Sequence, residues 1–379
     1  MNPDAAHDEA WYAARALAAV RHLRAYDPGH DLVSLRRRFE SAQLTELGSN
    51  ENPYGASPLA RAAVLDQLHE LHRYPDPLGG DLKRALAGVH GVQTSQILLG
   101  NGSHELLMQL AQAFAGPDDE VIFSRCGFAV FALATQAAGA RMRVAEALPR
   151  DADMPLGHDL DALAAAVTAS TRLVYLANPN NPTGTWFSNE ALANFVARVP
   201  PDVIVVVDEA YAEMADAPDY ASALSLQVRH PNLVVTRTFS KAYGLAGLRC
   251  GYLVAAAGLV AVMERLRESF NVNAVALAAC TAALADREHL EWVCARNREQ
   301  RQVLSAALRS RGLRVWPSQT NFVLVEFGTR TAQVEAELIA RGVVLRPMSG
   351  YGLADCLRIT IGTPDENRRL LSALDEVLA

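Results

Sequence analysis

Val203-Ile204-Val205-Val206-Val207-Asp208-Glu209-Ala210-Tyr211 is the stretch from which the fold reads most directly. Its first five residues are apolar and β-branched, with no polar alternation to mark a wet face. A strand that buries both faces belongs in a parallel sheet covered by helices. Asp208 then emerges at the strand's C-terminal edge. Working outward, Leu173-Val174-Tyr175-Leu176 lies upstream and Leu233-Val234-Val235-Thr236 downstream, with Val121-Ile122-Phe123 earlier still. Longer helical stretches separate these runs, the pattern of an α/β sheet with right-handed crossovers. After about residue 275 the character changes. Helical stretches at 274–285 and 288–311 lead into Phe322-Val323-Leu324-Val325, another helix, Val343-Val344-Leu345, and Leu357-Arg358-Ile359-Thr360-Ile361. The expected fold class is therefore α/β: a large domain with a mostly parallel central sheet flanked by helices, plus a smaller α+β domain. The expected bounds are an N-terminal segment 1–55 joining the small domain, a large domain 56–275 and a small domain 276–379. Residues 5–24 have helical composition and end near Tyr26-Asp27-Pro28-Gly29, a turn by its residue types.

The 379 residues are half apolar and carry a net charge of −7. No clustered basic run is present, so a nucleic-acid partner is not expected. No stretch of 18 apolar residues marks a membrane span, and the polar, acidic start lacks a signal-peptide profile, so the expected location is the cytoplasm. Five scattered cysteines without a Cys-x-x-Cys pair read as reduced thiols, and no metal site is expected.

Lysine occurs only at Lys83 and Lys241, against a background of arginine. Arginine replaces lysine as a solvated charge but cannot form a Schiff base. Lysine should therefore persist where amine chemistry needs it. Lys83 lies in Asp81-Leu82-Lys83-Arg84-Ala85-Leu86, expected to be the polar face of a helix and so a solvated position. Lys241, in Thr238-Phe239-Ser240-Lys241-Ala242-Tyr243-Gly244, follows a strand and falls at the sheet edge where open α/β sheets bind ligands.

Other residues gather at that edge. Asp208 could hold a proton on the ring nitrogen of a pyridine cofactor, although an acid after a buried strand also serves as a helix cap or metal ligand. Tyr211 and Asn181 could both reach a phenolate oxygen, although the segment Asn178-Pro179-Asn180-Asn181-Pro182-Thr183-Gly184 is also a turn by composition. Gly100-Asn101-Gly102-Ser103-His104 precedes a helix at 105–114, so the amides around Gly102, Ser103 and His104 can cradle a dianion. Ser240 and Arg249 bracket the lysine and can complete that cradle. Phe128 can stack on a ring, although a lone aromatic is more often core.

Taken together, the order Asn181, Asp208, Tyr211, Ser240, Lys241, Arg249 resembles the fold-type I pyridoxal-phosphate aminotransferases of the aspartate aminotransferase superfamily, over nearly the whole chain. Ser49-Asn50-Glu51-Asn52-Pro53-Tyr54-Gly55, Tyr74-Pro75-Asp76-Pro77 and Leu357-Arg358-Ile359-Thr360-Ile361-Gly362 make it most similar to the histidinol-phosphate aminotransferases within that group. The resemblance implies pyridoxal 5′-phosphate on Lys241, which then moves protons as general acid and base, with Asp208 and Tyr211 assisting. It implies a homodimer in which Tyr74 reaches the neighbouring subunit's cofactor phosphate. It further implies substrate contacts from Tyr26, Arg346 and Arg358, with histidinol phosphate and glutamate/2-oxoglutarate as substrates in histidine biosynthesis. One position departs from the family pattern: Phe128 stands where a tyrosine is common, which removes a hydroxyl but not the stacking face. Aromatic amino-acid aminotransferases and threonine-phosphate decarboxylases share most of these motifs. A pyridoxal-phosphate-binding regulator is disfavoured, because too few residues precede Tyr26 for a DNA-binding domain.

Overall fold

The computed structural model describes residues 8–25, 29–39 and 44–379. The expected turn at Tyr26-Asp27-Pro28, and with it Tyr26, lies outside the described residues. The helix expected over 5–24 is, from residue 8 onward, two short helices, Glu9–Ala13 and Ala18–Arg21, with no buried residue in either. Short helices are marginal unless an apolar face is packed, so helical composition alone does not hold this stretch in one piece.

β1 (Thr45–Glu46) pairs in parallel with a strand from the far end of the chain, described below. Then follow the strands of the main sheet: β2 (Ile97–Gly100), β3 (Glu120–Ser124), β4 (Arg141–Ala145), β5 (Thr171–Ala177), β6 (Ile204–Asp208), β7 (Leu233–Thr238) and β8 (Gly251–Val254). Their spatial order is β2-β8-β7-β6-β5-β3-β4. β8 runs antiparallel to both of its neighbours, and the other pairings are parallel. Alternate side chains enter opposite cores, as the two-residue strand period requires. Val121, Leu173, Tyr175 and Val206 join one core with Leu106, Leu110 and Phe131. Ile122, Val174, Leu176, Val205 and Val207 join the other with Leu192 and Phe195. The unbroken apolar run in β6 is thereby explained: both faces are covered.

The remaining strands are β9 (Arg314–Val315), β10 (Phe322–Glu326), β11 (Val343–Val344), β12 (Arg346–Pro347) and β13 (Cys356–Thr360). Four of them form an antiparallel sheet in the order β12-β13-β10-β9, and β11 is the partner of β1. The helix Arg287–Ser310 begins at an Asp286 cap, and Pro364–Leu378 at a Thr363/Glu366 capping box. Leu304, Leu308, Leu370 and Leu374 share one core with Val323, Val325, Leu357 and Ile359 of the small sheet. The helix Ala274–Ala285 is apolar on nearly all sides and packs against the helix Pro58–Gln67. Among the described residues no helix is long and apolar enough to cross a membrane.

Candidate active site

β5, β6 and β7 all end at one edge of the main sheet, and a cavity of about 430 Å³ opens there. Lys241 lies three residues beyond β7, half-buried. Its Nζ donates to the carbonyl of Asn50 at 3.1 Å and to that of Ser49 at 3.4 Å. Burial lowers the amine from 10.5 to about 8, with the Arg358 and Arg249 charges pushing the same way and Glu51 and Asp208 opposing. The amine can therefore gain and lose a proton near neutral pH.

Asp208 is the last residue of β6 and is 4% exposed. Its in-register neighbour on β7 is Thr236, whose Oγ1 donates to Asp208 Oδ1 at 2.8 Å. Burial raises the carboxyl from 3.8 to about 6; the Glu209 charge adds to this, while Thr236 and Lys241 pull it down. A carboxylate held in this way favours a cationic partner in the cavity it lines. Tyr211 is buried, and its hydroxyl accepts from Asn50 Nδ2 at 2.9 Å. From β13, Arg358 donates through Nη1 to Asn181 Oδ1 at 2.7 Å and through Nη2 to the Gly48 carbonyl at 2.8 Å.

On the other side of the cavity, Gly102 (φ +85°) stands before the helix Ser103–Phe114, and no side chain caps that helix. Ser103 and His104, in its first turn, line the cavity. Arg249 closes over this loop, donating through Nη1 to Ser240 Oγ at 3.4 Å and to the Ala246 carbonyl at 3.0 Å. A Cβ on Gly102 would stand 2.5 Å from Arg249 Nη2, so a glycine there is what admits the guanidinium. Burial lowers the His104 pKa, and the Arg249 charge adds to that. Phe128 lines the cavity from the start of the helix Ala129–Ala137.

Ten of the residues expected at the site therefore share one cavity: Ser103, His104, Phe128, Asn181, Asp208, Tyr211, Ser240, Lys241, Arg249 and Arg358. Gly102 stands just behind it. Two others stand apart. Tyr74 is 83% exposed and stacks on Phe270 with 4.7 Å between ring centroids. Arg346 is outside the lining but is the in-register partner of Arg358 across β12 and β13. Residues not singled out beforehand also matter: Asn50 bonds Tyr211 and receives the Lys241 amine, and Thr236 holds Asp208. The signal available for Asn50 was its place in the segment Ser49-Asn50-Glu51-Asn52-Pro53-Tyr54-Gly55, which carries part of the resemblance but assigns Asn50 no role. Lys83 corrects an expectation. Its side chain is only 13% exposed and pairs with Glu264 at 3.0 Å, because the helix Gly80–His90 turns this residue toward the chain near 264.

The donor set fits pyridoxal phosphate. An amine of depressed pKa, a buried carboxylate and a cradle of helix amides, hydroxyl and guanidinium line one space, as an aldehyde, a pyridine nitrogen and a phosphate require.

Comparison with known proteins agrees with this geometry. The family model for class I and II aminotransferases matches residues 42–374. A histidinol-phosphate aminotransferase 2 of Pseudomonas fluorescens is 46% identical over 370 residues, 97% of this chain and 98% of that protein. Among solved structures, histidinol-phosphate aminotransferase from Sinorhizobium meliloti in complex with pyridoxal-5′-phosphate is 31% identical, with a TM-score of 0.84 over 96% of this chain and 98% of that one. Aspartate aminotransferase from Thermus thermophilus with maleate gives a TM-score of 0.82 at 20% identity, over 96% of this chain and 99% of that one, a likeness of fold alone.

Proposed function

The chain belongs to the class I and II aminotransferases, and on that premise we propose that it transfers an amino group between histidinol phosphate and 2-oxoglutarate, with pyridoxal phosphate as cofactor. The observation that carries the substrate reading is the pairing of Arg346 with Arg358 in register on β12 and β13. Register partners in an antiparallel pair leave the same face of the sheet, so Arg346 departs from the small sheet beside Arg358, the one of the two that lines the cavity. Like charges directly opposed repel, and an anion with several oxygens offsets that repulsion with charge-assisted bonds. A phosphate ester supplies such an anion, and the relatives named for histidinol phosphate support the same reading.

Pyridoxal phosphate supplies an aldehyde for the amino group and a ring that accepts the electron pair left on the substrate carbon. The protein's part follows from its own groups. Ser103, His104, Ser240 and Arg249 hold the phosphate, with Gly102 admitting the arginine. Asp208 keeps the proton at the ring nitrogen, and its burial strengthens that charge pair. Asn181 and Tyr211 bind the phenolate oxygen, and Phe128 covers a ring face. Lys241, whose amine is poised near neutral pH, would serve as the general base and acid that takes and returns the proton of the substrate carbon. Arg358 takes the carboxylate of glutamate or the phosphate of the other substrate, with Arg346 and Tyr26 assisting only the phosphate.

The active unit in this reading is a homodimer, and its location the cytoplasm. Tyr74 lies outside its own cavity, among the exposed Leu65, Leu68, Leu71 and Leu78. A second cavity of about 560 Å³ lies between this stretch and the helix Ala274–Ala285. A second copy would cover that apolar face and bring Tyr74 to the partner's cradle.

The substrate test compares kcat/KM for histidinol phosphate with that for phenylalanine. Arg346→Ala should cost the phosphorylated substrate about 2 kcal/mol or more, as for a lost charge-assisted bond, and the aromatic amino acid far less. Arg358→Ala should damage both. Equal losses in the Arg346 variant, or a parent that prefers phenylalanine, would overturn the reading.

A further inference from the structure

The loop that makes the anion cradle is itself held from behind by a set of side chains outside the cavity. Glu105, in the first turn of the helix Ser103–Phe114, accepts from the backbone N–H of Asn101. The same carboxylate accepts from Asn271 Nδ2 at 3.1 Å and from Gln109 Nε2 at 3.1 Å. Asn271 Nδ2 also lies 3.3 Å from the Leu99 carbonyl, the residue before Gly100 in β2. One amide group thus joins the end of β2 to the helix on the far side of the loop. The chain continues outward: Arg267 Nη1 donates to Asn271 Oδ1 at 3.2 Å, Arg267 Nε pairs with Glu264 at 2.6 Å, and Lys83 Nζ pairs with Glu264 at 3.0 Å. Phe270, immediately before Asn271, adopts φ +60°, a left-handed conformation that a bulky residue rarely takes.

A carboxylate beside a phosphate cradle is unfavourable unless its charge is taken up elsewhere. Here three N–H donors face Glu105, and one of them is the backbone amide of Asn101, a bond that fixes how the loop enters the helix. We propose that Glu105 and Asn271 are positioning residues for the cofactor's phosphate: together they set the loop at 100–103 so that the first helix amides face the cavity, with Lys83 as the outer anchor. This rests on the pyridoxal-phosphate reading above. It also gives the chain's second lysine a role, as one end of a mostly buried ion pair.

The test separates phosphate from ring. Cofactor-free protein is titrated with pyridoxal phosphate and, separately, with pyridoxal, which lacks the phosphate, followed by absorbance. Asn271→Asp, which sets a second carboxylate beside Glu105, should weaken pyridoxal phosphate about tenfold, the worth of about 1.4 kcal/mol, and leave pyridoxal within about twofold. Lys83→Met should show a smaller loss of the same selectivity, and Lys83→Arg should restore the parent values, since arginine keeps the ion pair. If Asn271→Asp does not fold, Glu105→Gln carries the same expectation. Equal losses for both ligands, or none, would overturn the positioning role. A parent protein that binds neither ligand would instead overturn the cofactor reading.

Discussion

Asp208 illustrates what the site asks of a single residue. With no cofactor bound, its carboxylate is buried at the end of β6, and its folded pKa of about 6 lies above the ordinary 3.8. A group whose folded pKa is raised destabilises the protein in its charged form. The cost is absent below about 3.8, grows as pH rises through 6, and is constant above that, at about 3 kcal/mol. Asp208→Asn should therefore make the cofactor-free protein more stable at pH 8, with the gap shrinking as pH falls from 6 toward 4. The same change should cut turnover severely, because the ring nitrogen loses its proton-holding partner. Urea melts at two pH values and a rate measurement check both. A variant of unchanged stability and turnover would make Asp208 a plain structural acid. Lys241 and Asp208 were legible as residues because each is chemically odd where it stands: a rare lysine, and an acid directly after an all-apolar run. Asn50 and Thr236 were not. Their chemistry comes from what they touch, and an asparagine in a polar loop or a threonine in a strand has no distinctive spacing.

The elements that carry these residues are braced at the junction of β6 and β7. Arg237 of β7 is 8% exposed, and its Nη2 pairs with the fully buried Glu209 at 2.7 Å. Its Nη1 pairs with Glu213 at 2.9 Å, and Ser222 Oγ lies 2.9 Å from Nη2. Glu209 and Glu213 flank Tyr211 and follow Asp208, so this network fixes the turn on which both site residues sit. Removing one partner of a buried ion cluster leaves uncompensated charge, which typically costs about 3–5 kcal/mol. Arg237→Leu should lose that much in denaturant unfolding and weaken cofactor binding with it. A loss under about 1 kcal/mol would mean that the turn is held by packing alone. At this scale the sequence was most readable where an element is buried on all sides. The strands around 121, 173, 203 and 233 and the helix Ala274–Ala285 stand where unbroken apolar runs put them. The N-terminal stretch broke into two short helices because no apolar face of it is packed. Lys83 was misread for a related reason: helix periodicity says which face is polar but not what ion awaits it.

Across the whole molecule, the arrangement depends on pairings between distant parts of the chain. β1 joins β11, and Arg346 stands beside Arg358, through hydrogen-bond registers that local composition does not encode. The proposed dimer extends the same principle between chains. Lys241→Ala and Tyr74→Phe variants, each impaired alone, should complement on mixing, because a mixed dimer holds one site with both native residues. Activity of the mixture at limiting cofactor should exceed the sum of the separate activities. A fully active monomer in sedimentation would refute the shared site.

The central claim is that the amine at this sheet edge carries the cofactor. Its most direct test is to load the protein with pyridoxal phosphate, reduce it with borohydride and map the modified peptide by mass spectrometry. Only two lysines can be labelled, Lys83 and Lys241. The label is expected on Lys241 alone and should vanish in Lys241→Arg; a label on Lys83, or none on either lysine, would contradict the account.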